Sequence, residues 1–489
     1  MLTENRRDAR TAKTASGSPT STRLIEATEI RFSEIISALS VALDITQGQP
    51  QGHCMRSALI GMRLAEELRL PANERSALFY ALLLKDLGCS SNAAKISYLF
   101  GADDRQVKRA ARMSDLTKPG ESFKYCWKNC NPGGSFVDKL LKMAAMARLG
   151  AEGARKIAEV RCERGADIAR ALQLPEATAE AILHLDEHWD GNGAPRQLKG
   201  TQISLLGRIC CLAQTVEVFF SEYGLESAVD VARRRRGQWF DPDLVDALAA
   251  FRRDTRFWSC VHSENLVDEL ARWEPEDTVL LADEAGLDRV AEAFARVVDA
   301  KSPWTYQHST GVAEITVGMT QQFGCSLEVQ RDLRRAALLH DIGKLGVSNL
   351  ILDKPGKPTD DELIAIRKHP DYSQQILEKV GAFQTLAHVA SAHHERLDGR
   401  GYHRQLDGEE FPWAARVLAV ADMCEAMAAK RPYRDEIPWP KIQQILAKDA
   451  GKGVDPECLA ALESWQDRHQ LRSRVEAQLG EVDRLLSEL

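Results

Sequence analysis

Histidines and aspartates concentrate in the second half of this 489-residue chain, which has 12 histidines in all. His340 and Asp341 are adjacent in the run AALLHDIGK, which ends at Lys344. A buried imidazole beside a buried carboxylate is costly unless a cation compensates the charge. Neutral imidazoles and carboxylates are the ligands that hydrolytic metal ions use, so the run predicts a metal site. Its further candidate ligands are His308, His369, His393, His394 and Asp422.

The apolar pattern places these residues on helices or at helix ends. Residues four apart share one face of an α-helix, so His340 and Lys344 can face one cavity. His340 and Asp341 point about 100° apart on a helix, so both can reach one site only near its end. His369 precedes a proline and is therefore expected where a helix begins. Asp422 lies in an apolar run that predicts a helix.

The composition is that of a large and mostly helical protein. The apolar fraction is 44%, and the net charge of −7 argues against a partner that is a nucleic acid polymer. The absence of an apolar run near 18 residues predicts that no segment spans a membrane, and no membrane partner is expected. The eleven scattered cysteines are typical of reduced thiols, which predicts a cytoplasmic protein.

The chain also contains an internal repeat. The segment GHCMRSALIGMRLAEEL, with His53, aligns with QHSTGVAEITVGMTQQF, with His308; ALLLKDLG then aligns with AALLHDIG at the same offset of 255 residues. Farther on, WDGNGAPRQLKG aligns with LDGRGYHRQLDG at an offset of 208 residues. The change of offset predicts an insertion in the first copy, at roughly residues 94–145.

The first copy lacks most of the candidate ligands. Lys85 and Arg161 stand opposite His340 and His369, and protonated Lys and Arg cannot bind a metal ion. The first copy is therefore expected to keep the fold without the metal, in a structural or sensory role. It retains His53 and Asp86, and it places Leu185, Asp186, Gln214 and Cys89 opposite His393, His394, Asp422 and Lys344.

Four motifs of the second copy resemble the HD-GYP family, a branch of the HD metal-dependent phosphohydrolases. They are HDIGK at 340–344, KHP at 368–370, HHERLDGRGY at 393–402 and VADMCEAMAAKRPYR at 420–434. The resemblance implies an all-α fold, with two HD-type helical domains in tandem and the first one degenerate. It also implies a metal-dependent phosphodiesterase that hydrolyses cyclic di-GMP to pGpG or GMP.

The resemblance further implies roles for individual residues. Asp341 and Lys344 are the expected catalytic residues. The resemblance implies two divalent metal ions as cofactors, iron or manganese or another transition metal. One ion would be held by His308, His340, Asp341 and Asp422, with Asp341 bridging to a second ion held by His369, His393 and His394. The residues expected to contact substrate are Lys344, Tyr402, Arg431 and Arg434.

Two positions depart from the family pattern. Family members with a third metal ion have a glutamate four residues before the first histidine, where this chain has Trp304, so two ions are favoured. His403 follows Gly401 and Tyr402 in place of the proline of the GYP signature. It brings a further candidate ligand and leaves the substrate open. The alternatives are a phosphodiesterase for 3′,3′-cyclic GMP-AMP and a cyclic-dinucleotide receptor without turnover.

These observations divide the chain into a disordered tail, two domains and a connector. The predicted bounds are 1–23 for the tail, 24–250 for the degenerate domain, 251–286 for the connector and 287–489 for the catalytic domain. Leucines and valines recur from Leu471 to Leu489 and predict an amphipathic helix, which packs on its own domain or forms a dimer seam. The expected partner is a cyclic dinucleotide; a homodimer or a signalling protein bound through the N-terminal copy remains open.

Overall fold

The computed structural model describes residues 21–25, 30–275, 281–305, 307–430 and 435–469. Over these ranges the chain consists of α-helices joined by loops and short 3-10 turns, which confirms the predicted all-α fold. Strands β1 (Ile30–Arg31) and β2 (Leu281–Ala282) form one short antiparallel pair. Most of the predicted tail, the pair Arg431 and Arg434, and the stripe from Leu471 lie outside the described residues.

The helices of the first half come in three groups: the first copy, its insertion and the connector. The first copy contains α1 (Phe32–Gln47), α2 (His53–Glu67) and α3 (Ala72–Leu84), and after the insertion α8 (Glu176–Leu183), α9 (Leu205–Tyr223), α10 (Leu225–Arg234) and α11 (Pro242–Ala250). The insertion contributes α4 (Ala93–Phe100), α5 (Asp104–Met113), α6 (Pro119–Asn129) and the start of α7 (Phe136–Ala171). The connector contains α12 (Thr255–Val261) and α13 (Leu266–Ala271).

The second half repeats this order with shorter connections. Its helices are α14 (Glu284–Asp299), α15 (His308–Gln322), α16 (Leu327–Leu339), α17 (Asn349–Leu352), α18 (Asp360–Ile366), α19 (His369–Leu377), α20 (Gln384–Ala390), α21 (Trp413–Ala428) and α22 (Trp439–Asp449). Residues 456–469 are also helical, up to the end of the described range. A 3-10 helix, Ile342–Gly346, follows α16.

The two copies have matching helices where their sequences align. Helices α2 and α15 each have 15 residues and begin at the aligned histidines, after a residue with positive φ. Helices α3 and α16 each have 13 residues. Helices α9 and α21 begin at positions 208 residues apart, the offset of the aligned sequences. The register of the repeat is therefore preserved in three dimensions.

The main hydrophobic core continues from the first copy through the connector into the second copy. Helix α1 packs on both the 342–346 turn and α19, and Arg105 of the insertion donates to the carbonyl oxygen of Gly346. The N-terminal copy thus supports the part of the second copy that follows His340. Among the described residues, the structure contains no helix that is long and apolar enough to cross a bilayer.

A buried ionic cluster joins α14 and α16. The guanidinium of Arg335 donates to Asp288 at 2.7 Å, to Glu284 at 2.7 Å and to Asp332 at 3.3 Å, and Arg335 is 1% exposed. Arg23, the last residue of the predicted tail, also donates to Asp332 and Glu284. Arg23 is therefore tied to α14 and α16 of the second copy.

We expect Arg335→Ala to lower the free energy of unfolding by about 2–3 kcal/mol, because it removes a buried cation that contacts three carboxylates and leaves the buried Asp332 with Arg23 as its remaining partner cation. Urea unfolding would measure the loss. Arg331→Ala is the matched control: Arg331 contacts the same Asp288 at 3.1 Å, but its side chain is 47% exposed. Its loss should be about 0–1 kcal/mol. Equal losses in the two variants would contradict the assignment.

Candidate metal centre

The HDIGK segment bends where α16 ends, and the bend brings two adjacent side chains into one site. His340 is the residue after α16, and Asp341 directly precedes the 3-10 helix, so the two do not follow continuous helical spacing. Gly343 allows the close approach of α19, since a Cβ there would lie 2.0 Å from the carbonyl oxygen of His369. The Ser373 hydroxyl stabilises this contact between α19 and the HDIGK segment, because it donates a hydrogen bond to the carbonyl oxygen of His340 at 2.6 Å.

Three of the candidate ligands have their rings fixed in the same way. The Nδ1 atoms of His340, His369 and His393 lie 2.6–2.8 Å from the carbonyl oxygen of the residue three positions earlier. Because a carbonyl oxygen can only accept a hydrogen bond, each Nδ1 carries the proton. Each Nε2 therefore directs a lone pair into the site, which is the form in which imidazole binds metal ions.

His308 is oriented by a carboxylate instead. Its Nδ1 contacts Glu425 of α21, a residue that the sequence analysis missed. The internal repeat carried the signal, because Glu217 lies 208 residues before Glu425 and makes the same contact with His53. A carboxylate behind a histidine fixes its tautomer and makes it a better ligand.

Several hydrogen-bond acceptors face one another in the site without a donor between them. The Nε2 atoms of His369 and His393 are 3.1 Å apart, and both present lone pairs. Nε2 of His308, Nε2 of His340 and Oδ1 of Asp341 are buried without a hydrogen-bond partner. Buried acceptors that face one another are unfavourable unless a cation lies between them.

Asp341 faces two groups of imidazoles with its two oxygens. Its Oδ2 lies 3.3 Å from Nε2 of both His308 and His340. Its Oδ1 lies 3.2 Å from Nε2 of His369 and 3.8 Å from Nε2 of His393. This arrangement suits a carboxylate that is shared between two ions.

Asp422 completes the first group from α21. Its Oδ1 lies 3.3 Å from Nε2 of His308, and its Oδ2 lies 4.0 Å from Nδ1 of His394. Ligand atoms lie within 4.8 Å of one another in three sets: His308, His340 and Asp422; His340, Asp341 and His393; and His369, His393 and His394. The donor chemistry and the orphaned acceptors fit divalent cations bound by these residues.

The electrostatics favour ionised carboxylates and neutral imidazoles at His369, His393 and His394. Burial alone would lower the pKa of His308, but Asp341, Asp422 and Glu425 raise it well above its ordinary value, so His308 loses a proton when it binds a metal ion. Burial lowers the pKa of His369, and burial together with the neighbouring His369 lowers the pKa of His394 to about 3. Burial alone would raise the pKa of Asp341, but His340 and Lys344 hold it well below its ordinary value. Ionised carboxylates and a neutral His369 and His394 are the forms that metal binding requires.

Lys344 and Tyr402 line the edge of this cluster. The Lys344 ammonium contacts Asp341, and its side chain is 18% exposed. The Tyr402 ring lies 4.7 Å from the His394 ring, and the Arg367 guanidinium lies 5.4 Å above the Tyr402 ring. Arg367 was missed because nothing in its sequence context distinguishes it from other exposed arginines.

His403 and Trp304 are the two positions that depart from the family pattern. His403 Nε2 lies 3.1 Å from Oε1 of Gln374, and His403 is in none of the ligand sets found among the described residues, so the suggestion of an extra ligand is not supported. Trp304, at the position of the third-ion glutamate, brings an indole that cannot bind a metal ion. The backbone after Tyr402 is held by Glu395, whose carboxylate accepts from the N–H groups of Arg404 and Leu406.

The first copy fills the equivalent space with its own cations. The Lys85 ammonium contacts Asp86 and lies 2.8 Å from Nε2 of His53. Arg112 of the insertion donates to Asp186 at 2.9 Å, and Arg161 also contacts Asp186. Lys85 is buried, yet Asp86 raises its pKa above the ordinary value, so it stays protonated.

Comparisons with known proteins agree with this geometry. The profile of the HD domain family matches residues 138–244 and 292–458. The 3'3'-cGAMP-specific phosphodiesterase 3 of Vibrio cholerae is 42% identical over 431 residues, which cover 88% of this chain and 94% of that protein. The crystal structure of V-cGAP3, a cyclic GMP-AMP specific phosphodiesterase of V. cholerae, is also similar to this chain. The two are 38% identical in sequence and superpose with a TM-score of 0.63, over 90% of this chain and 98% of the crystallised one.

A further relative aligns over a shorter part of the chain. The cyclic di-GMP phosphodiesterase response regulator RpfG of Xanthomonas campestris is 34% identical over 171 residues, which cover 35% of this chain and 45% of that protein. The matches extend over most of the chain, and the motifs that carry the HD-GYP resemblance meet at one site. The chain therefore belongs to the HD domain family, within its HD-GYP phosphodiesterases.

Proposed function

We propose that this protein hydrolyses 3′,3′-cyclic GMP-AMP in preference to cyclic di-GMP. The sequence alone predicts cyclic di-GMP as the substrate and leaves 3′,3′-cyclic GMP-AMP as an alternative. The observation that favours it is the extent of similarity. The 3'3'-cGAMP-specific relative aligns over 88% of the chain, including the N-terminal copy, whereas the cyclic di-GMP relative RpfG aligns over 35%.

Two divalent ions would occupy the centre. We assign one to His308, His340, Asp341 and Asp422 and the other to His369, His393 and His394, with Asp341 shared. When bound, such a pair acts as a Lewis acid on phosphoryl oxygens and supplies a nucleophile at neutral pH. Iron and manganese both accept this mixture of imidazole and carboxylate ligands.

The chain's own residues would bind and orient the dinucleotide. Lys344 lies at the edge of the cluster, where its ammonium can neutralise a phosphate oxygen. Tyr402 offers a ring to a base, and Arg367 beside it offers a guanidinium suited to a phosphate. We assign the same phosphate-binding role to Arg431 and Arg434.

Hydrolysis adds water across one phosphodiester. An oxygen from water bonds to phosphorus, the bond from phosphorus to the ribose 3′ oxygen breaks, and that oxygen takes up a proton. The first cleavage yields a linear dinucleotide, and cleavage of the second bridge yields mononucleotides. The Lys344 ammonium contacts Asp341, and we propose that it donates a hydrogen bond to the departing oxygen.

The N-terminal copy is proposed to act as a support without turnover. Its internal cations take the places of the second copy's ligands, and the metal-ligand sets of the described residues all come from the second copy. Its α1 and Arg105 contact the segment that follows Asp341. Changes in this copy can therefore reach the centre through packing.

The substrate assignment predicts faster turnover of 3′,3′-cyclic GMP-AMP than of cyclic di-GMP. We expect kcat/KM to differ by about tenfold or more, which corresponds to about 1.4 kcal/mol of discrimination in the transition state. Chromatography of products from each dinucleotide, with protein purified without oxygen, would measure both values. Equal or reversed values would contradict the substrate preference, and binding of both dinucleotides without cleavage would favour the receptor alternative.

Aligned aspartates in the two copies allow a test of which copy cleaves the substrate. Asp341→Asn should lower turnover by more than about 100-fold, since changes behind a metal ligand already cost about 10–100-fold. Asp86→Asn, at the aligned position of the first copy, should retain turnover within about threefold once the folded fraction is taken into account. Equal losses would contradict the assignment of one active copy.

Metal content gives a test that does not depend on activity. We expect about two ions per chain in the unmodified protein, as in other two-metal hydrolytic sites. His393→Ala should lower this content, because His393 belongs to two of the ligand sets. Elemental analysis after anaerobic purification would show the change, with His403→Ala as control. A loss of metal in both variants, or in neither, would contradict the ligand assignment.

A further inference from the structure

Large apolar side chains are exposed on the insertion more than elsewhere. Fifteen such residues are exposed in the described chain, and eight of them fall between residues 94 and 145. Six of these lie on α6 and at the start of α7 and define the insertion surface: Phe123, Trp127, Phe136, Val137, Leu140 and Leu141. This concentration exceeds the scattered exposure that is normal for soluble proteins.

The insertion surface is separate from the core of the insertion. The rings of Phe123 and Trp127 lie 6.3 Å apart, and those of Trp127 and Phe136 lie 6.2 Å apart, so the aromatic side chains are continuous from α6 to α7. Other side chains of the same helices, including Tyr125 and Met143, pack into the small core of the insertion. The small core of the insertion is therefore formed by other residues, and the insertion surface lies outside it.

The insertion is basic in an acidic protein. Residues 94–145 contain ten Lys and Arg against five Asp and Glu, whereas the whole chain has a net charge of −7. Lys124 and Lys128 are exposed beside Phe123 and Trp127 on α6. On α7, the Lys139 ammonium lies 5.2 Å from the Trp127 ring. Lysines thus border the apolar side chains.

We propose that the insertion surface binds an anionic lipid surface. Aromatic and aliphatic side chains flanked by lysines match the interface of a bilayer, where rings enter the boundary of the acyl chains and ammonium groups meet anionic headgroups. A second copy of this chain is a poorer fit. A two-fold interface would place the same basic face against itself, and like charges would oppose each other.

This binding differs from membrane spanning. The sequence predicted no membrane partner because it has no spanning segment, and that argument does not apply to a surface contact. The insertion surface would hold the enzyme at the membrane through side chains far in sequence from the metal ligands. The proposal does not depend on which dinucleotide is cleaved.

Vesicle sedimentation of the full chain tests the proposal. We expect the protein to sediment with vesicles of phosphatidylcholine and phosphatidylglycerol in a 7:3 ratio at low salt, and to remain in the supernatant with phosphatidylcholine alone. The double variants W127S/F136S and K124E/K128E should each reduce the bound fraction at least fivefold. Unchanged turnover in both variants would show that they are folded.

Matched controls use exposed residues elsewhere. L327S changes a leucine that is 78% exposed on α16, and K441E changes an exposed lysine on α22, so both should bind vesicles as the unmodified chain does. Failure of the unmodified chain to sediment with anionic vesicles would overturn the proposal. So would a dimer, seen by light scattering, that the W127S/F136S variant dissociates, or binding to polyglutamate in place of vesicles.

Discussion

The interaction on which the catalytic half depends is the mutual repulsion of its buried acceptors. His369 and His393 direct lone pairs at each other across 3.1 Å, and Asp341 adds an ionised carboxylate. Backbone carbonyls hold the protons of these rings on the far side, so the rings cannot relieve the conflict by exchanging a proton. A cation bound between these groups would stabilise the arrangement, so we expect metal binding to stabilise the fold.

The same constraint is met differently in the two copies. In the second copy, diffusible ions would compensate the carboxylates, and they leave open positions for water and substrate. In the first copy, Lys85 supplies a covalently attached charge to Asp86, and Arg112 supplies another to Asp186. A side-chain ammonium cannot act as a Lewis acid, so the lysine that replaces the histidine is one of the substitutions that would separate a scaffold from a catalyst while the helices around it are kept.

Much of this centre could be predicted from the sequence because the ligand types are rare and the motifs are local. His340 and Asp341 were identified from adjacent residues, and the all-α fold followed from the motifs that resemble HD-GYP proteins. Glu425 was missed because a carboxylate behind a histidine has no local motif; its distance from His308 is fixed by the packing of α15 on α21. Arg367 was missed for a similar reason, since its place beside Tyr402 arises where two loops meet. His403, which the sequence left open as an extra ligand, contacts Gln374 and belongs to none of the ligand sets found among the described residues.

The contacts between the two copies support the structural role that we propose for the first copy. Helix α1 and Arg105 contact the turn that ends at Gly346, and that turn begins directly after Asp341. The position of Asp341 decides whether its two oxygens can serve two groups of imidazoles, so support of this turn has a direct chemical consequence. Lys85 and Arg112 supply their charges to Asp86 and Asp186 whatever the metal supply. In the role that we propose, these fixed charges would give the catalytic copy a constant surface to pack against.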